Sequence, residues 1–209
     1  MDIPVLADTS ALREPSTARG ERTRANLIAA ARRVFERKGY LDAKLSDITT
    51  SARCSTGTFY TYFTDKAEIL QAVLEAVQDD MLHPQVPVHG DGSLRGQIEA
   101  GNREYLDGYR RNAKMMKLLD QVAAIDPAFR DVRRRRSNAF VQRNARAIGA
   151  LQAAGLADPG LDPAIAAKAL SAMVSRLAFH TFCFEEEIDF EMLVRTCTDL
   201  WVNALRLPR

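Results

Sequence analysis

Twice this chain sets an aspartate directly before a proline at the head of an apolar stretch: "DPAF" at Asp126–Phe129 and "LDPA" at Leu161–Ala164. Proline lacks an N–H and has φ fixed near the helical value. It therefore suits the first position of a helix and disrupts the interior of one. An aspartate just before it accepts the N–H groups that a first turn leaves over. Other opening signals stand at Ser55, at Asp65 with Glu68 three residues on, and at Asp189. Between them apolar residues recur every three to four positions and nowhere alternate. The expected fold is all-α, with about nine helices.

The first helix is predicted from about Thr17, with Leu27, Ala31, Val34 and Phe35 on one stripe. Gly39 is placed to end it, and Tyr40 to fold back onto it. A short second helix carries Leu45, Ile48 and Ala52. A third begins at Ser55 and sets Phe59 and Phe63 a turn apart. A fourth opens at Asp65 and turns Leu70, Val73, Leu74, Val77 and Met81 inward. The stretch "HPQVPVHGDGSLRG" reads as a linker. Helices then follow over Ile98–Tyr109 and Ala113–Ile125, from Asp126 to about Ala154 with Gly155 as the stop, from Asp162 to about Glu186, and from Asp189 to just before Pro208. The expected domains are a loosely docked arm over 1–16, a first domain over 17–66 and a helical second domain over 67–209.

Of the 209 residues, 46 % are hydrophobic and 27 % charged, the balance of a globular protein. No apolar run approaches the ~20 residues that span a bilayer, and the start lacks a signal-peptide layout. No membrane association is expected, and a reducing cytoplasm is the default location. Cys54, Cys183 and Cys197 are scattered, which points away from disulfides, a zinc site or any other metal. There is no nucleophile–base pair, no G-x-G-x-x-G and no P-loop, so no enzyme, catalytic residue or cofactor is expected. Charge is uneven. The net is +2, but Arg19 to Lys66 hold ten Lys/Arg against five Asp/Glu, +5, and the remainder sums to −3. A basic amino-terminal segment suits nucleic acid or another polyanion.

The second and third helices, joined at Arg53-Cys54, make a helix-turn-helix. In that motif the second helix enters the DNA major groove while the first crosses the backbone. With Phe59 and Phe63 inward, the outer face shows Thr56, Gly57, Thr58, Thr61 and the hydroxyls of Tyr60 and Tyr62. Hydroxyls and backbone N–H groups at a helix start suit phosphate oxygens, and threonine can touch base edges. Gly57 lets a backbone approach closely. Lys66 stands at the head of the next helix. The bland reading is a helical domain with an aromatic core in which Tyr60 and Tyr62 are ordinary half-buried tyrosines.

"AARRVFERKGY", followed by "LSDI" and "STGTFYTYFTDKAEIL", resembles the amino-terminal domain of TetR-family transcriptional regulators over about Thr23–Leu74. The resemblance implies a homodimer whose helical carboxy-terminal domain dimerises and often binds a small ligand. It also implies that Thr56, Gly57, Thr58, Tyr60, Tyr62 and Lys66 occupy DNA-contacting positions, with Ser55 and Thr61 as additions. Two departures stand out. Ala43-Lys44 replaces the family's usual Thr or Ser cap of the second helix, so Lys44 supplies a charge for a hydroxyl, with Ser46 offering another hydroxyl nearby. Arg53 takes the place of a glycine that often has positive φ.

Small residues on the eighth helix (Ala167, Ser171, Ser175 and Ala178 among them) would let two copies approach, with Val174 on the same interface. The ninth offers Leu193, Cys197, Leu200 and Trp201. Paired about a twofold axis they would form a four-helix bundle; the rival is that these faces pack inside one subunit. By the resemblance, a ligand site would be walled by Tyr105, Tyr109, Met115, Met116, Leu119, Phe140, Met173, Leu177 and His180, though such residues are also ordinary core. His180 reads as bonded to a backbone carbonyl. The run Arg133–Arg136 wraps a helix; most members read as solvated, and one or two could hold an anionic ligand head. The expected function is a dimeric, ligand-released repressor of a palindromic operator with a small apolar or lipid-like effector. The alternatives are an effector-independent architectural DNA binder or an activator.

Overall fold

The computed structural model describes residues 17–82 and 93–208. The expected arm over 1–16 and most of the expected linker lie outside them. Among the described residues every regular element is helical: α1 (Ala18–Asp42), α2 (Leu45–Ala52), α3 (Thr56–Tyr62), α4 (Lys66–Leu82), α5 (Leu94–Arg111), α6 (Ala113–Ile125), α7 (Pro127–Ala153), α8 (Pro163–Cys183) and α9 (Phe190–Ala204). None of these helices is long and apolar enough to cross a membrane.

The helices begin where acceptor side chains stand. Thr17 Oγ1 takes the N–H of Gly20, Ser55 Oγ that of Thr58, Asp162 that of Ile165 and Asp189 that of Met192. At α4 the Asp65 carboxylate takes the N–H of Glu68 at 2.8 Å, and the returning Glu68 carboxylate reaches the hydroxyl of Thr64 at 2.6 Å. Inside α1, Gly39 sits at φ 74°, ψ 174° and breaks the helix. Tyr40 thereby folds back to 5.9 Å from the Phe35 ring.

Two ends differ from the sequence expectation. α5 opens at Leu94 rather than Ile98, because Ser93 Oγ accepts the N–H of Gly96 and caps the extra turn. α8 closes at Cys183 rather than near Glu186. Glu185 is left-handed at φ 58°, which ends the helical run, and the Phe184 ring packs at 5.0 Å on Phe179.

The chain divides into two compact units. The first takes residues up to Asp79 together with Lys114–Arg133, and so reaches beyond the 17–66 span expected for the first domain. Its core holds Leu27, Val34, Phe35, Ile48, Phe59, Phe63, Ile69 and Leu70, all at most 1 % exposed. Each buried phenylalanine stabilises by about 2 kcal/mol. The second unit takes Asp80–Ala113 and Arg134–Arg209. In it α5 packs on both α8 and α9. Buried Asn102 of α5 donates to the Thr198 hydroxyl at 3.3 Å, and Arg103 holds the Glu191 carboxylate through both terminal nitrogens at 2.5 and 2.7 Å.

The turn between α2 and α3 carries a strain. Arg53 is left-handed at φ 54°, ψ 46°, a conformation that glycine adopts without penalty. Arg53→Gly is expected to raise stability by about 0.5–1 kcal/mol, read as a higher urea midpoint of the whole chain. A lower midpoint would mean that the arginine side chain contributes more than its backbone costs.

Candidate nucleic-acid interface

Three side chains of the first unit fix α1, α2 and α4 against one another. Asn26 donates to the Ala52 carbonyl at 2.8 Å, at the end of α2. Arg33 reaches the hydroxyl and carbonyl of Ser51 at 3.4 and 3.5 Å. Lys66 Nζ donates to the carbonyls of Tyr40, Ala43 and Leu41 at 2.7, 2.9 and 3.3 Å and stands 4.5 Å from the centre of the Tyr40 ring. Its three donors are thus spent on the turn after Gly39. In the DNA-free chain the ammonium clamps the α1–α2 turn, where the sequence reading expects it to meet a phosphate. Asn26 and Arg33 escape a sequence reading because polar residues on an amphipathic helix give no sign of which carbonyl they will meet.

α3 is held from below by Phe59 and Phe63, whose rings lie 5.7 Å apart, with Arg24 packed 5.4 Å over Phe63. Ser55, Thr56, Gly57, Tyr60 and Thr61 are exposed, while Thr58 and Tyr62 are half-buried. The outward face is therefore rich in hydroxyls, and not all of them are free. Thr61 Oγ1 donates to the Gly57 carbonyl at 3.1 Å, and the Thr58 and Ser55 hydroxyls lie 3.0 Å apart. Thr56 and Gly57 N–H groups meet no acceptor among the described residues. Gly57 is not required by the packing: a Cβ added there would meet only Ser55 Oγ, at an ordinary 3.7 Å.

Lys44 and Ser46 are exposed at the start of α2. Asp47 accepts the backbone N–H of Lys44 at 3.0 Å and the ammonium of Lys38 at 2.7 Å. The Lys38 bond, then the Lys44 N–H, hold its carboxyl below the usual aspartate range. This cap is complete at neutral pH and is lost only as pH falls through that depressed value. The Lys44 side chain stays outward, and Arg53 is exposed at the turn.

The residues expected around a ligand do not gather in one unit. Met115, Met116 and Leu119 are buried on α6, within the first unit. Tyr105, Tyr109, Phe140, Met173, Leu177 and His180 belong to the second. There the Tyr105 ring meets Phe140 edge-on at 5.3 Å and Tyr109 at 5.9 Å. His180 does not bond a carbonyl as expected; its Nδ1 lies 3.1 Å from Glu186, because the chain doubles back after α8.

The expected dimer residues also sort differently. Ala167, Val174, Ala178, Leu193, Cys197 and Trp201 are buried within the single chain. Ser171 is half-buried and accepts from Asn144 at 2.9 Å; Ser175 is half-buried too. Leu200 is exposed at 42 %, as are Ile165 at 71 % and Met192 at 55 %. The stripes are apolar as expected, but the side of each helix that faces inward depends on α5, which the periodicity does not locate. Among the described residues no three His, Cys, Asp or Glu are grouped to hold a metal.

A family model described as bacterial regulatory proteins of the tetR family matches residues 27–73, and one described as the C-terminal domain of the transcriptional regulator EthR matches residues 98–206. The HTH-type transcriptional regulator TtgR of Pseudomonas putida is 26 % identical over 197 residues, covering 90 % of this chain and 93 % of that relative. Among solved structures, a proposed TetR-family regulator from Rhodococcus sp. superposes with a TM-score of 0.74 at 23 % identity, over 88 % of this chain and 99 % of its own. A complex of SmeT with triclosan superposes with a TM-score of 0.71 at 20 % identity, over 88 % and 91 %.

Lys66→Met is expected to lower the urea midpoint of the chain while leaving the salt slope of DNA binding unchanged. Lys44→Ala should flatten that slope by about one unit with stability unchanged. The two effects arriving the other way round would return Lys66 to the phosphate-binding surface.

Proposed function

The chain belongs to the TetR family of bacterial transcriptional regulators, non-enzymatic DNA-binding proteins, and from that premise we propose a dimeric repressor that releases a palindromic operator when a small molecule binds its second unit. The observation that carries the DNA-reading part is Gly57. A glycine in a helix costs backbone entropy, and here no neighbour demands one. What remains is the outside of α3, where a bare backbone with outward N–H groups and flanking threonine hydroxyls fits a close approach to phosphate and base edges. Thr56, Gly57, Thr58, Tyr60, Thr61 and Tyr62 form this surface, with Ser55 organising the helix start and Lys44, Ser46 and Arg53 beside it.

Dimerisation is assigned to the exposed sides of α8 and α9. Ile165, Ala169 and Ala172 on one helix and Met192 and Leu200 on the other leave apolar surface in water. A twofold pairing of such faces sets two recognition helices about one DNA turn, roughly 34 Å, apart. Release by a ligand requires that the ligand bind the DNA-free state more tightly. Linkage then makes operator DNA weaken ligand binding by the same factor. The effector part draws on the relative solved with triclosan bound, whose fold this chain shares.

Fluorescence anisotropy with DNA from upstream of the protein's own gene, against a scrambled duplex over a salt series, tests the reading. Specific, salt-sensitive binding is expected, and equal weak binding to both duplexes would overturn it. Gly57→Ala should leave the thermal midpoint unchanged or higher and weaken operator binding at least tenfold. Undiminished binding would remove Gly57 from the interface. The double change Ile165→Glu and Leu200→Glu should yield monomers by light scattering, and a persisting dimer would place the interface elsewhere.

A further inference from the structure

Among the described residues, the second unit holds a guanidinium with no carboxylate partner. Arg136, the last of the Arg133–Arg136 run, donates from Nη2 to the thioether of Met81 at 2.9 Å and lies 5.6 Å from the centre of the Phe140 ring. Its Nε is fully buried and has no acceptor. Arg133, at the other end of the run, is paired with Asp120 at 2.8 Å in the first unit. A thioether is a weak acceptor and a ring face a partial one. Neither makes up for taking a charged N–H out of water, which costs free energy unless an acceptor is supplied.

The surroundings are aromatic. The ring of Phe140, beneath Arg136, meets Tyr105 edge-on at 5.3 Å, and Tyr105 continues to Tyr109 at 5.9 Å. A second guanidinium, Arg143, lies 5.4 Å from the same Phe140 ring. Met81 is brought against α5 by Gly108, where an added Cβ would come within 3.3 Å of Met81 Cγ. Nε and Nη2 are the two nitrogens that make the side-on fork of an arginine, the geometry that takes both oxygens of a carboxylate. Among the described residues one prong of that fork meets no acceptor and the other rests on sulfur.

We propose that Arg136 reads the carboxylate of a flat aromatic effector. The carboxylate accepts from Nε and Nη2 and replaces the Met81 sulfur, and the ring lies against Phe140 and Tyr105. This rests on the reading of the second unit as the effector-binding part. It narrows the expected apolar or lipid-like effector to an aromatic acid.

The test is isothermal titration of the full chain with 2-naphthoate and with its neutral counterpart 2-naphthamide, on wild type and on Arg136→Met. The wild type should bind the acid at least about tenfold more tightly than the amide, the worth of one hydrogen bond to a charged group. In Arg136→Met the two affinities should become equal. The variant's thermal midpoint should hold or rise, since a buried unpaired donor has been removed. Equal affinity for both probes in the wild type, binding of neither, or an acid preference that survives in Arg136→Met would each overturn the proposal. So would a fall in the thermal midpoint with the preference intact, which marks a structural arginine. The operator anisotropy assay separates this from the repressor reading. A molecule that releases DNA equally from wild type and Arg136→Met overturns the role of Arg136 and leaves ligand release standing. Naphthoate that binds through Arg136 without altering DNA affinity does the reverse.

Discussion

A helix leaves four N–H groups at one end and four carbonyls at the other without partners inside itself, and in this chain the side chains that meet those groups also set where the helices lie. Asn26 and Arg33 of α1 reach the last carbonyls of α2, and Lys66 at the head of α4 reaches the carbonyls around the α1–α2 turn. In the second unit the Cys183 thiol donates to the Ala113 carbonyl at 3.4 Å, and Gln152 of α7 donates to the carbonyls of Asp158 and Leu161 before α8. The apolar cores supply most of the stabilisation, and these donor–carbonyl contacts add a frame of fixed distances among α1, α2 and α4, against which Phe59 and Phe63 seat α3.

On that frame α3 is built for contact with something outside the chain. Its inner side is two phenylalanines, and its outer side is threonine, tyrosine and one glycine that the interior does not need. A short helix of this composition has little stability by itself. Its strength comes from the aromatic pair below and from Ser55 at its head. The outer side chains therefore contribute little to holding the helix in place. Arg53 follows the same logic from the other direction. The left-handed turn fixes how α3 leaves α2, and a non-glycine residue there accepts strain in return for a charge at the surface.

The second unit is organised around α5, which packs on both α8 and α9 through a buried Asn102–Thr198 bond and the Arg103–Glu191 pair. Because α5 covers one side of each of those helices, it also decides which of their apolar residues stay in water. That is why Leu200 faces outward and Trp201, one residue on, does not. The same packing brings Tyr105 of α5 to Phe140 of α7, and so creates an aromatic surface beside a guanidinium that meets no carboxylate among the described residues.

The helices themselves were legible in the sequence, and the reason is local. Asp126-Pro127, Asp162-Pro163, Ser55, Asp189 and Gly39 act through backbone geometry and through hydrogen bonds that span three or four residues, so their effect does not depend on the rest of the chain. The outward hydroxyls of α3 could be read for the same reason, since Phe59 and Phe63 fix the inner side and the helical period fixes the outer one. What only the tertiary structure decided is which long-range partner each polar or apolar side chain meets. Lys66 reads as a phosphate contact, and no local pattern shows that its ammonium also meets three carbonyls more than twenty residues away. Ala167, Cys197 and Trp201 lie on stripes that read as interface, and the fold buries them within the chain; Arg136 belongs to a run that reads as mostly solvated, and the fold sets it against Met81 and Phe140. Periodicity fixes the angle between side chains on one helix, but the orientation of that helix is set by neighbours distant in the chain, and no local pattern records them.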